Sequence, residues 1–99
     1  MYVNIQSVHF TADVKLVDYV NKKIQKLNTL NDRIVKVDVF LKLDNIVHHI
    51  KDKIAEIRVY APRHNFFSKT STKSFEDSFD DAFESLLIQI KKDKEKKAA

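Results

Sequence analysis

Four histidines, a cluster of carboxylates and two groups of lysines are the residues of this 99-residue chain whose types and spacing could do chemistry. The histidines are His9, His48, His49 and His64. His48-His49 suggests a metal site, but adjacent residues on a strand point opposite ways, and no cysteine or helical histidine pair completes a ligand set. No metal is expected there, and the loop histidines are read as touching a phosphate or nothing in particular. Glu76, Asp77, Asp80, Asp81 and Glu84 crowd one short segment with no base among them. Paired acids can do acid/base work, yet acids in the first turns of a helix favour its macrodipole and form a solvated face. Ser, His and Asp are all present, but nothing places them as a triad. No enzyme activity and no cofactor are expected.

Composition removes further classes. The chain has no cysteine, which excludes disulfides, thiolate metal sites and cysteine nucleophiles. It has no glycine either, so a phosphate-cradling Walker loop, a dinucleotide fingerprint or a G-x-S-x-G nucleophile elbow cannot exist. No apolar run approaches the roughly 20 residues of a membrane span. The start, Met1-Tyr2-Val3-Asn4-Ile5, lacks the features of a signal peptide. A cytoplasmic protein with no membrane partner is the expectation.

The lysines are better organised. Lys+Arg number 18 against 14 Asp+Glu, a net charge of +4. The surplus gathers at residues 91–97, where Lys91, Lys92, Lys94, Lys96 and Lys97 stand against Asp93 and Glu95. Local clustering of positive charge points to a polyanionic partner, although a Lys/Glu tail also keeps a small domain soluble.

The elements that must position these residues follow from periodicity. Val3 and Ile5 alternate with polar neighbours in a first strand. Thr11 or Asp13 caps a helix reaching to about Leu30, with Leu16, Val20, Ile24 and Leu27 as one apolar stripe. After a turn at Asn31-Asp32, Val35, Val37, Val39, Leu41 and Leu43 alternate with Ile34, Lys36, Asp38, Phe40 and Lys42, a strict period of two. Asn45 to Asp52 reads as a loop. Ala55, Ile57 and Val59 then face one way and Glu56, Arg58 and Tyr60 the other. Pro62 to Asn65 makes a turn before a short strand over Phe66 to Thr70. Ser74 with Asp77 resembles a capping box, and the helix it starts carries Phe75, Phe79, Phe83, Leu86 and Ile90 on one face, with Ala82 beside them.

The order β-α-β-β-β-α predicts an α+β fold, a four-stranded sheet with two helices packed on one face and the other face wet. Residues 1–92 form one domain, and 93–99 a frayed basic tail. On the first helix Lys15, Lys22 and Lys26 share a stripe displaced from the apolar one; Lys92 and Lys96 make another on the second. With both helices on one side, the stripes could flank a shared RNA-facing surface, of the kind that grips phosphates and reads little sequence. A salt-bridged solvent face is the equal alternative. On the open face Tyr2, Phe40, Arg58 and Tyr60 could stack unpaired bases. The specific motifs for that need glycine, so these aromatics are read mainly as sheet packing.

The whole pattern resembles the hibernation-promoting factor and ribosome-associated inhibitor family, also called the sigma-54 modulation family. The matches are Asp13 through Val20, then Lys22-Lys23-Ile24-Gln25-Lys26-Leu27, the strand Val37-Asp38-Val39-Phe40-Leu41, the stretch from Ser74 to Asp80, and Leu86 through Ile90 leading into the lysines. The resemblance implies a fold similar to a double-stranded RNA-binding domain. It implies a partner, the small ribosomal subunit and its ribosomal RNA, and no small-molecule substrate. Translation would be inhibited by occupying the channel of messenger and transfer RNA. Carried over position by position, the RNA contacts are Lys22, Lys23 and Lys26, then Lys91, Lys92 and Lys96. Ser85 and Ile88 stand where members typically carry bases, and the hairpin glycine of the family is replaced at His64-Asn65. The resemblance is to a short form, without the long-form dimerisation domain. A general structured-RNA-binding domain and a protein-interaction module are the alternatives.

Overall fold

A computed structural model describes the backbone of residues 1–46 and 50–98, and the side chains of residues 1–44 and 52–96. His48-His49 and the Lys97 side chain therefore lie outside the described residues. The elements are β1 (Tyr2–Val8), α1 (Val14–Gln25), α2 (Leu27–Leu30), β2 (Lys36–Ile46), β3 (Ile50–Tyr60), β4 (Asn65–Thr72) and α3 (Phe75–Ala98). The strands form one sheet in the order β1-β2-β3-β4. β1 and β2 are parallel, joined by the α1 crossover, while β2-β3 and β3-β4 are antiparallel hairpins. This is the predicted α+β architecture, with α1 and α3 on one face.

The core lies between that face and the helices. Val37, Val39, Leu41, Ala55, Ile57, Val59 and Phe66 line the sheet side. Leu16, Val20 and Ile24 of α1, Leu27 of α2 and Phe75, Phe79, Ala82, Phe83, Leu86 and Ile90 of α3 close it from above. Each large side chain buried this way contributes about 1.5–3 kcal/mol, which holds two helices that make little contact with one another.

The starts of α1 and α3 are capped by side chains. Asp13 Oδ1 accepts from the Leu16 amide at 2.8 Å, and Ser74 Oγ from the Asp77 amide at 3.1 Å. Buried Ser78 joins α3 to the sheet: its Oγ accepts from the Thr72 amide at 2.9 Å and donates to the Lys53 carbonyl. His9 alone among the described residues has a positive φ, 66°, at a cost of about 1–2 kcal/mol in a chain with no glycine to spare. The turn brings Phe10 to stack on Phe75 with centroids 4.3 Å apart.

Four expectations are corrected. The first helix breaks at Lys26, whose amide reaches back three residues to the Lys23 carbonyl, and α2 continues to Leu30. The loop expected over Asn45–Asp52 gives way to strand on both sides, Asn45 and Ile46 belonging to β2 and Ile50 to Asp52 to β3, because the two strands pair as far as Ile46 with Ile50; residues 47–49 lie outside the described residues. Polar side chains do not end a strand whose backbone has an antiparallel partner. Inward and outward are exchanged at the start of β2. The Ile34 amide bonds the Asn31 carbonyl, a turn that puts Ile34 in the core and leaves Val35 exposed. Lastly, the fourth strand is longer than Phe66 to Thr70, running from Asn65 to Thr72. No helix among the described residues is long and apolar enough to cross a membrane.

Candidate nucleic-acid interface

Because α1 buries Leu16, Val20 and Ile24, its opposite side must face solvent, and Lys15, Lys22 and Lys26 are exposed there. None has a carboxylate within ion-pair distance among the described residues. Asp18 lies in the same row between Lys15 and Lys22 and is also exposed, so the stripe is three bases and one acid. On α3, Ile90 is the last buried residue among the described ones, and Lys91, Lys92, Lys94 and Lys96 beyond it are exposed. Their charge also complements the negative end of the helix, as Glu76 and Asp77 complement its start. Ser85 is exposed and Ile88 is 52% exposed, so the positions expected to carry bases are indeed on the surface.

Lys23 is placed differently from its neighbours. Its Nζ sits 2.6 Å from Asp80 Oδ1 on α3, and the Tyr19 hydroxyl donates to the same oxygen at 2.6 Å. The ammonium also lies 5.3 Å from the Tyr19 ring centre. Burial pushes the Asp80 carboxyl up, but the hydrogen bonds from Lys23 and Tyr19 and the lysine's charge outweigh it, leaving its pKa below the ordinary value. The hydrogen bond to Asp80 raises the pKa of Lys23 and, with burial, that of Tyr19. Lys23 thus ties α1 to α3, and its charge is already committed.

A groove of about 560 Å³ opens at one end of the molecule, between the α2-β2 connection, the β3-β4 turn and the late part of α3. Arg33, Arg63 and Lys94 line it with Asn28, Asn31 and Asp93 among others. It places two loop arginines beside the basic end of α3. Arg33 belongs to no periodic stripe, so nothing in the sequence marks it as part of a site.

The open face of the sheet carries its own charged array. Register puts Lys36, Asp38, Phe40 and Lys42 of β2 beside Tyr60, Arg58, Glu56 and Ile54 of β3. Arg58 Nε and Nη2 each lie 2.9 Å from Glu56 Oε2; Lys42 is 3.6 Å from Glu56, and Lys36 is 3.4 Å from Asp38. The Arg58 guanidinium lies 5.2 Å from the Phe40 ring centre, and Lys36 Nζ 5.4 Å from that of Tyr60. Asp38 Oδ1 is buried and meets no donor from the described residues. Two cation-bearing surfaces therefore lie back to back: extended lysines on the helices, and anchored cations with aromatics on the sheet. No cluster of three or more potential metal ligands occurs among the described residues.

Residues 3–98 match the family model described as sigma 54 modulation protein / S30EA ribosomal protein. Among solved structures, a ribosomal subunit interface protein from Coxiella burnetii superposes with a TM-score of 0.83 at 16% identity, covering 95% of this chain and 98% of that one. The N-terminal domain of Protein Y from Thermus thermophilus superposes with a TM-score of 0.77 at 23% identity, covering 93% and 98%. At such identities these two establish the fold. No curated protein matches the sequence significantly.

Proposed function

This chain belongs to the sigma 54 modulation protein / S30EA ribosomal protein family, and on that premise we propose that it is a hibernation factor of the cytoplasm that lodges in the decoding channel of the small ribosomal subunit. There it grips ribosomal RNA phosphates and keeps messenger and transfer RNA out, stopping translation reversibly under starvation or in stationary phase. The mechanism is occlusion, and no bond is made or broken.

The observation that carries this reading is a set of exposed lysines on the helix layer of a family member, none ion-paired among the described residues. They are Lys15, Lys22 and Lys26 on α1, and Lys91, Lys92 and Lys96 on α3. Ammonium groups on long extended stems can each meet a phosphate and release its counterions, whereas Lys23 must first give up Asp80. The body measures 49 × 25 × 17 Å and excludes a nucleic acid strand from the space it fills. Arg33, Arg63 and Lys94 line the end groove beside these lysines, together with Asp32 and Asp93.

Co-sedimentation with purified small ribosomal subunits tests the proposal. Binding near one per subunit is expected, reversed by high salt and prevented by messenger RNA with initiator transfer RNA. Changing Lys22, Lys26, Lys92 and Lys96 together to Glu should abolish it without unfolding the chain. Single changes among the four should each flatten the salt dependence by about one unit of slope, as the release of one phosphate requires. Absence from the subunit fraction at low salt, or unchanged binding by the fourfold variant, would overturn it. Equal competition by bulk RNA duplex would make the protein a general structured-RNA binder instead.

A further inference from the structure

We infer that the open face of the sheet is a second nucleic-acid surface, one that takes unpaired bases of single-stranded RNA with Phe67 as its stacking platform. The inference stands on the sheet alone and does not depend on the ribosomal reading.

β4 carries two phenylalanines in succession, and strand alternation sends them to opposite faces. Phe66 enters the core at 2% exposed, while Phe67 stands 50% exposed on the open face. Its backbone is held in place. The Gln89 side chain of α3 reaches across the edge of the sheet, donating to the Phe67 carbonyl at 2.8 Å and accepting from its amide at 3.4 Å. An exposed ring on a clamped backbone presents its face with little freedom to lose on binding, as a stacking platform requires.

Its neighbours supply the rest of a single-strand site. Across the strands Phe67 pairs with Arg58, and in the adjoining row Tyr2, Lys36, Tyr60 and Asn65 follow one another. The Arg58 guanidinium lies 6.0 Å from the Phe67 ring centre and is fixed by Glu56, so it offers a second flat cationic surface beside the ring. A groove of about 210 Å³ runs between Arg58, Tyr60, Asn65 and Phe67. Tyr2 is 65% exposed at the far edge of the sheet.

Charge selects the occupant. Lys36, Lys42, Arg58 and Lys69 face this side, whereas Asp38 and Glu56 are buried beneath them at 7% and 4% exposed, so the charge presented to solvent here is positive. Asp44 and Asp52 lie on the same face farther along the β2-β3 hairpin, with Asp52 3.7 Å from Lys73, and they confine the positive track to the end near Tyr60. A polyanion is therefore favoured over an acidic or apolar protein patch. Half-exposed aromatics favour unpaired bases over a duplex, whose bases are already stacked.

The test is titration of the full chain into a single-stranded oligoribonucleotide of about ten residues, within the usual span of such sites, carrying one central 2-aminopurine. Stacking should quench the 2-aminopurine emission. Phe67→Ala should weaken binding by about 5- to 150-fold, the range for one stacked base. Phe67→Leu, which keeps apolar bulk on the strand but not the ring, should do nearly the same while leaving the salt slope and thermal unfolding unchanged. Glu84→Gln, at an exposed position of α3 that is part of neither surface, should leave the quench intact. No binding by the wild type, equal binding by Phe67→Leu, or equal displacement by a duplex or by polyglutamate would overturn the inference, the last in favour of a protein partner. A quench lost in Phe67→Leu from a protein that does not sediment with ribosomal subunits would uphold this inference while the ribosomal reading fell. The opposite pair of results would do the reverse.

Discussion

On the covered face of the sheet Val37, Val39, Leu41, Ala55, Ile57 and Val59 lie in the apolar core. One residue further along the same strands, Lys36, Asp38, Phe40, Glu56, Arg58 and Tyr60 face the open side and hold one another by ion pairs and cation-π contacts. The covered face gains its stability from removing apolar surface from water, which is non-directional and indifferent to salt screening. Fixed geometry is what the open face gains from charge, at the cost of desolvating Asp38 and Glu56. The comparison teaches that a sheet face left without a helix cover need not be inert. Here it is pre-arranged, with cations set over rings, while the lysines of the helix layer extend into solvent. Extended lysines suit phosphates at variable positions; anchored cations beside rings suit a planar ligand.

Three substitutions sharpen or break this contrast. Ile57→Ala on the covered face should cost about 2–5 kcal/mol in chemical denaturation, the same in low and in high salt. A loss that shrank in salt would mean the core depends on the charged face behind it. Glu56→Gln on the open face removes the acid that holds both Arg58 and Lys42. A smaller loss, about 1–2 kcal/mol, is expected, because both cations are part-exposed and keep some hydration. Its size should fall at 1 M salt, where screening reaches in to about 3 Å; a salt-independent loss would show that Glu56 acts by packing.

The smallest effect belongs to the clamp between the helices. Asp80→Asn should cost roughly 1 kcal/mol or less at neutral pH, since its side chain is over a third exposed and solvent screens the pair. The pH dependence gives the sign. The folded pKa of Asp80 is lowered, so its contribution is present above the unfolded carboxylate range and is lost as pH falls through the folded value. Those of Lys23 and Tyr19 are raised, so theirs is present below the unfolded values and is lost as pH rises through the folded ones. Denaturation midpoints of variant and wild type should therefore converge in strong acid and again in strong alkali. A constant gap between them would show that the contact is not ionic.

Much of the site was legible because it lies on periodic elements. The apolar stripe Leu16-Val20-Ile24-Leu27 places Lys15, Lys22 and Lys26 on the far side of α1, and the phenylalanine stripe of α3 does the same for Lys92 and Lys96. The exposure of Ile88 followed from the same arithmetic. Lys23 was not separable from Lys22 in this way: only the approach of α3 brings Asp80 to it. Arg33 and Arg63 lie in connections, where no period applies, and the end groove joins them across about thirty positions of chain. Phe67 could have been noticed beside Phe66, since two aromatics in succession on a strand must part to opposite faces.

Read locally, then, the sequence held the order of the elements, most of their inward faces and the exclusion of whole chemistries, because helical and strand periods and the absence of cysteine and glycine are properties of the chain itself. The tertiary structure alone decided the strand order, the union of Lys23 with Asp80, the gathering of Arg33 and Lys94 around one groove, and the clamp of Gln89 on Phe67. Each of these joins residues distant in sequence, and such contacts are set by how the layers pack rather than by any pattern within one element.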